Sequence, residues 1–220
     1  MAFEAAKDIA QRARKILAVL RKEYPHARTA LRYADPWQLL VATILSAQCT
    51  DARVNQVTPR LFEKYPTIGD FAEADINELE EMVRPAGFFR NKARAIRESA
   101  QQIVDEFDGR MPQTMEDLTR LRGVARKTAS VVLQEAVKRD GPHDGVVVDT
   151  HVQRLAKRMG LVPMTWQSAD KIEQRLMEVY PREDWDLAFT FIEHGRAVCS
   201  ARSPKCAECV VYDLCPRRGV

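Results

Sequence analysis

Leu118-Thr119-Arg120-Leu121-Arg122-Gly123-Val124-Ala125-Arg126-Lys127-Thr128-Ala129 is the stretch whose reading decides the fold. A short segment from Met115, a tight link at Arg122-Gly123-Val124-Ala125 and a longer segment RKTASVVLQEAVKR predict two helices joined by a glycine-containing turn, a helix-hairpin-helix. Such a turn leaves the first N–H groups of the second helix pointing outward. With the helix dipole they suit a phosphate oxygen, and they read no base. Arg122, Arg126 and Lys127, with Lys138 and Arg139 further on, make the neighbourhood basic, as a clamp on a nucleic-acid backbone should be. Taken alone the pattern carries little, because L-x-G-x-x-x-K between helices is often only a turn.

Outward from the hairpin the pattern is helical nearly throughout. Residues 37–48 (WQLLVATILSAQ) are almost wholly apolar and predict a central buried helix. Residues 51–65 place Val54, Val57, Leu61 and Phe62 on one face, closed by Pro66. Residues 76–83 are acidic on the outside and stop at Arg84-Pro85-Ala86-Gly87, where proline and glycine break a helix. A helix over 91–107 restarts with Lys92, Arg94 and Arg97 and ends at Asp108-Gly109. Residues 140–145 read as a boundary or surface loop. Val146 to Val148 read either as a short strand or as a buried extended lead-in, and Asp149-Thr150 as N-cap chemistry for VQRLAKRMG. Further helices are expected over about 168–179 and 185–196.

Near the C-terminus Cys199, Cys206, Cys209 and Cys215 form the run C-x6-C-x2-C-x5-C. Four thiolates so close in sequence can converge on one metal centre. A zinc ribbon offers two close pairs separated by a longer stretch. One close pair with a single cysteine on each side suits a compact cluster such as [4Fe–4S] better. Zinc, a disulfide pair and four ordinary thiols are the other readings.

The 220 residues leave room for one large domain or two small ones. A net charge of +3 is too modest to argue for nucleic acid, so the local placement of the 34 basic residues must do so. No apolar run is long enough to cross a membrane. The N-terminus is an amphipathic helix, with Ile9, Ala13, Ile16 and Leu20 on one stripe, and lacks the features of a secretory signal. Five cysteines without an export signal point to a reducing compartment, and Cys49, alone in an apolar run, reads as a core thiol.

The hairpin with Lys127 at its second helix, Val148-Asp149-Thr150-His151, and the cysteine run follow in an order that resembles the endonuclease III family of base-excision-repair DNA glycosylases. The resemblance covers almost the whole chain. It takes in Leu45-Ser46-Ala47-Gln48 with Thr50-Asp51, Gly87-Phe88-Phe89 followed by Lys92-Ala93, and His194-Gly195-Arg196. Each piece is short, but their joint order is specific. It implies an all-α fold of two helical lobes with a DNA-binding cleft between them. A central helical barrel carrying the hairpin would span 29–140, and 1–28 with 141–220 would form an iron–sulfur domain holding a [4Fe–4S] cluster on Cys199, Cys206, Cys209 and Cys215.

By the same resemblance Lys127 is the nucleophile and Asp149 its carboxylate partner, in a bifunctional glycosylase/AP lyase excising oxidised pyrimidines. The adenine-specific relatives lack this lysine. An amine can attack C1′, expel the base and leave a Schiff base that permits β-elimination. A lysine of ordinary pKa is only about 0.04% neutral at pH 7, and the helix N-terminus and nearby arginines disfavour the ammonium. The resemblance also assigns gap filling to Gln48 and the wedge to Phe88, physically reasonable for an apolar side chain, although Phe88 and Phe89 read singly as core aromatics. The hairpin residues Arg122, Gly123, Val124, Ala125 and Arg126 would hold the DNA backbone, as would Arg202 and Lys205 on the loop between the first two ligands. His151 either contacts phosphate or sits as a capped surface residue. The implied partner is double-stranded DNA with damaged bases or abasic sites, met by a monomer in the cytoplasm, nucleoid-associated, with no membrane contact. A pyrimidine-dimer glycosylase and a catalytically poor binder of damaged DNA are the competing readings.

The chain departs from the family's L-P-G-V-G hairpin. Arg122 stands where proline is common, adding a phosphate-facing charge, and Ala125 replaces the second glycine. If residue 125 needs positive φ or close approach of phosphate, its methyl group costs about 1 kcal/mol and weakens the clamp.

Overall fold

The computed structural model describes residues 5–137 and 144–220, so Lys138, Arg139 and most of the 140–145 loop lie outside the described residues. Eleven α-helices occur among the described residues: α1 (Ala6–Glu23), α2 (Pro36–Ser46), α3 (Asp51–Lys64), α4 (Ile68–Glu73), α5 (Ile76–Val83), α6 (Phe89–Phe107), α7 (Met115–Arg120), α8 (Arg126–Val132), α9 (Thr150–Arg158), α10 (Ala169–Val179) and α11 (Ala188–Ala197). The described residues contain no strand. Val146 and Val147 take the second of their two readings, a buried extended lead-in to α9. No described helix is long and apolar enough to cross a membrane. The chain divides into two compact units, Ala30–Asp140 and Met1–Thr29 with Gly141–Val220.

In the first unit α2 is apolar on every side because it is buried on every side: Leu39, Leu40, Val41, Ala42 and Leu45 have no exposed surface. Asp35 starts it by accepting from the Gln38 N–H, with Pro36 at the first helical position. Around α2 gather Val54 and Leu61 of α3, Leu79 and Val83 of α5, Ile96 and Ile103 of α6, and Leu118 and Val132 beside the hairpin. Phe71 of α4 meets the rings of Trp37, Phe62 and Tyr65. Sequence reading missed α4, although its capping box, Thr67 with Asp70, was in view.

In the second unit α1 buries Ala13, Ile16, Leu17 and Leu20. Tyr180, after α10, donates its hydroxyl hydrogen to the Ala13 carbonyl at 3.3 Å. Ser168 caps α10. The helix expected from about 185 begins at Ala188, after a 3-10 turn, Arg182–Asp184, and a further turn over 185–187.

Candidate functional site

The hairpin is built onto α6. Thr114 caps α7, and Leu121 and Val124 are buried beneath the turn. Ser99 Oγ donates to the Arg122 carbonyl at 2.8 Å, and the Arg122 N–H donates to Gln102 Oε1 at 2.9 Å. Gly123 has φ of 74°, and a Cβ there would lie 2.7 Å from the Ala95 methyl. Positive φ and a close helix approach both require glycine. Ala125 does not share that demand. Its φ of −81° and ψ of 165° are ordinary extended backbone, so its methyl group carries no cost from a left-handed conformation. Ala125 offers no side-chain cap to α8, and Arg126 and Lys127 stand exposed in that helix's first turn. The Arg122 guanidinium does not stand alone as a phosphate-facing charge: its Nε lies 3.4 Å from Glu98 on α6.

Two other turns of the same unit carry the residues assigned to DNA opening. Gln48 is exposed just beyond α2, with φ of 54°. Phe88 is 63% exposed at the start of α6, with φ of 48°. Phe89 is half-buried, with the guanidiniums of Arg84 and Arg90 over its ring. The two phenylalanines therefore part company, one outward and one inward.

In the second unit Asp149 is the N-cap of α9. Its Oδ1 accepts from the N–H groups of His151 and Val152, both at 2.8 Å. The other carboxylate oxygen has no hydrogen-bond donor among the described residues. His151 is half-buried over Gly195, where a Cβ would meet its Nδ1 at 2.8 Å. Burial first, and then Arg154 and Arg196, lower the His151 pKa against the pull of Asp149. The neutral ring accepts from Arg154 at 3.0 Å, and Arg154 also donates to the carbonyls of Gly195 and Cys199.

The four cysteines of the C-terminal run line one cavity with Arg158, Met159, His194, Val198 and Val211. None is in a disulfide. Among the described residues no three His, Cys, Asp or Glu side chains close on a point that would hold a metal ion. A zinc ion needs its sulfur ligands about 2.3 Å from one point, whereas thiols ringing a cavity fit a multi-atom cluster. Burial pushes the Cys209 and Cys215 thiols up, so a cationic metal centre is what would hold them as thiolates. The surroundings suit that charge. Arg158, 8% exposed, donates to Cys199 Sγ at 3.3 Å, and His194 Nε2 lies 3.5 Å from Cys209 Sγ. Burial drops the His194 pKa to about 4. Arg202 and Lys205 are exposed on the loop that Arg158 ties down through the carbonyls of Ser200 and Ala201. Arg154 and Arg158 escaped sequence reading, because an arginine on an amphipathic helix reads as solvent-facing.

Residues 41–182 match the HhH-GPD superfamily base excision DNA repair protein family, and residues 199–215 match the iron-sulfur binding domain of endonuclease III. The second match begins and ends on the outer two cysteines. The chain is 53% identical to endonuclease III of Synechocystis sp. over 207 residues, covering 94% of this chain and 92% of the relative. It is 34% identical to endonuclease III of Escherichia coli over 202 residues, covering 91% and 93%. A solved trapped endonuclease III–DNA covalent intermediate superposes with a TM-score of 0.86 at 40% identity, over 94% of this chain and 96% of that one. A thermostable thymine-DNA glycosylase, at 18% identity and a TM-score of 0.83, shares the fold. The chain belongs to the endonuclease III family of base-excision-repair DNA glycosylases with AP lyase activity. It carries a [4Fe–4S] cluster.

Proposed function

We propose that this glycosylase excises oxidised pyrimidines from duplex DNA, with Lys127 as nucleophile and Asp149 as its carboxylate partner. The observation that carries the reading is the first turn of α8, where Lys127 stands exposed at a helix N-terminus that no side chain caps. Lys127 Nζ, as the free amine, attacks C1′ of the damaged nucleotide. The glycosidic C1′–N bond breaks, and the base leaves with the bonding pair and takes up a proton. Opening of the sugar and loss of the amine proton give an iminium. Removal of a C2′ proton then breaks the C3′–O bond and releases the 3′ phosphate, and water hydrolyses the iminium to return the lysine. Asp149 holds α9 through one oxygen and offers the other to the oxocarbenium-like sugar and to proton transfer.

To expose C1′ the nucleotide must leave the stack. Gln48 fills the gap and Phe88 wedges the neighbouring bases, roles supported by their exposure on left-handed turns. The hairpin from Arg122 to Arg126 and the Arg202–Lys205 loop grip phosphates, and neutral His151 positions the start of α9. Solved endonuclease III–DNA complexes of the same fold support a duplex-DNA partner. Cys199, Cys206, Cys209 and Cys215 hold the cluster, which supplies position and stability to the loop between its first two ligands. The protein acts as a monomer on nucleoid DNA in the cytoplasm.

Borohydride trapping on abasic-site duplex tests the nucleophile. A covalent adduct is expected with the natural chain and none with Lys127→Gln. A panel of duplexes bearing oxidised pyrimidines, pyrimidine dimers or mismatches tests the lesion class. Faster excision of dimers than of oxidised pyrimidines would overturn it.

A further inference from the structure

Among the described residues only Gln48, Phe88, Asp108 and Arg217 are non-glycine residues with positive φ. A left-handed conformation is unfavourable for glutamine and phenylalanine and persists where the surroundings impose it. One side chain reaches the approaches to both of those turns. Lys92 of α6 is 5% exposed, and its Nζ donates to the carbonyls of Leu45 and Ala86, each at 2.8 Å. Leu45 lies in the last turn of α2, three residues before Gln48, and Ala86 ends the 3-10 turn Arg84–Ala86, two residues before Phe88. Both carbonyls belong to helix C-terminal ends, which lack intrahelical N–H partners and favour a cation. The backbone N–H of Lys92 also donates to the Phe88 carbonyl, at 3.1 Å. Gly87, with φ of 70° and ψ of 160°, lets the chain swing from Ala86 to Phe88.

An apolar side chain could fill the space of Lys92 without desolvating a charge. Burial does lower the Lys92 pKa. What the ammonium adds is a tie between two turns that are far apart in sequence. We propose that Lys92 is a positioning residue for DNA opening, holding the Gln48 and Phe88 turns at one fixed spacing so that gap filler and wedge enter the duplex together. The inference rests on the DNA-opening roles given to Gln48 and Phe88.

The test compares Lys92→Met with the natural holoenzyme on two substrates, a duplex bearing an oxidised pyrimidine and a single-stranded oligonucleotide bearing an abasic site. The single strand offers no gap to fill and no pair to part. Lys92→Met should slow duplex excision about 10- to 100-fold while slowing single-strand cleavage by no more than about twofold. A 2-aminopurine beside the lesion should show a smaller fluorescence rise on binding. Adding Lys92→Met to a Gln48→Ala/Phe88→Ala chain should cost little more, because the positioned groups are already gone. Lys92→Arg, which keeps the cation and its donors, should recover part of the duplex rate. If Lys92→Met does not fold, Lys92→Gln carries the same comparison, with Lys92→Arg as its rescue. Equal losses on both substrates, or a full additional loss in the triple variant, would overturn the proposal alone. A Gln48→Ala/Phe88→Ala chain with unchanged duplex excision would instead overturn the opening roles on which it rests.

Discussion

Arg158 Nη1 lies 3.3 Å from Cys199 Sγ, and the same buried guanidinium donates to the carbonyls of Ser200 at 2.6 Å and Ala201 at 2.9 Å. One cation of α9 thus fixes the first thiol of the cysteine run and the start of the loop bearing Arg202 and Lys205. It also faces sulfur that becomes anionic when it ligates metal, so its charge and its hydrogen bonds act in the same direction.

Arg158→Met should therefore weaken the cluster site and leave the hairpin unit intact. The carbonyls of Ser200 and Ala201 are only partly shielded from water, so losing their donor should cost about 1 kcal/mol each at most, seen as a lower melting temperature. The more specific readout is the cluster's visible absorbance during challenge with an iron chelator, which should decay several-fold faster than in the natural chain. Equal decay rates would show that Arg158 does not secure the cysteine run.

Asp149 combines a structural and a chemical task, and two substitutions separate them. Asparagine retains an oxygen for the N–H groups of His151 and Val152, and it ranks with aspartate as a helix N-cap. Asp149→Asn should change stability by less than about 0.5 kcal/mol, whereas Asp149→Ala should lose about 1 kcal/mol with the cap. Base excision should fall at least about 100-fold in both, because both lack the carboxylate. An Asp149→Asn enzyme with near-normal excision would leave Asp149 as a cap alone.

The two hairpin positions make opposite predictions. Gly123→Ala forces a methyl group into a left-handed residue and against Ala95, so it should destabilise the protein by more than about 1 kcal/mol and weaken DNA binding. Ala125→Gly restores the residue usual in the family at a position that needs no freedom. It should not tighten binding, and it should lower stability by up to about 1 kcal/mol through the more flexible unfolded chain. Thermal melts and equilibrium binding to abasic duplex check both. Tighter binding by Ala125→Gly would show that the methyl group hinders the clamp.

Much of this structure was legible in one dimension. The apolar run of α2, the acidic outer face of α5 and the N-cap at Asp149 obey local rules, and Ile76–Val83 was read to the residue. The order of hairpin, Asp149 and cysteines supplied the family. What stayed hidden depends on contacts distant in sequence. Lys92 and Arg158 look like solvent-facing cations on amphipathic helices, and only the carbonyls they meet reveal them as buried ties. Arg122 reads as a lone cation, and only the fold brings Glu98 of α6 beside it. Ala125 looked costly because a glycine is usual there, yet a preference for glycine does not reveal the sign of φ.

Arg202 and Lys205 are exposed on a loop held by the Lys205 N–H to the Val198 carbonyl at 3.0 Å and by the Arg158 guanidinium. Two cations fixed this way lose little freedom on meeting DNA, so their contribution should be electrostatic and indifferent to sequence. Each phosphate contact steepens the fall of log affinity with log salt by about 0.9. Arg202→Ala and Lys205→Ala should each flatten that slope by about one unit, and the double variant by about two. Undamaged and abasic duplexes should weaken in parallel, with the rate of the bound reaction unchanged at saturating enzyme. A loss confined to abasic DNA would instead make the loop part of lesion recognition.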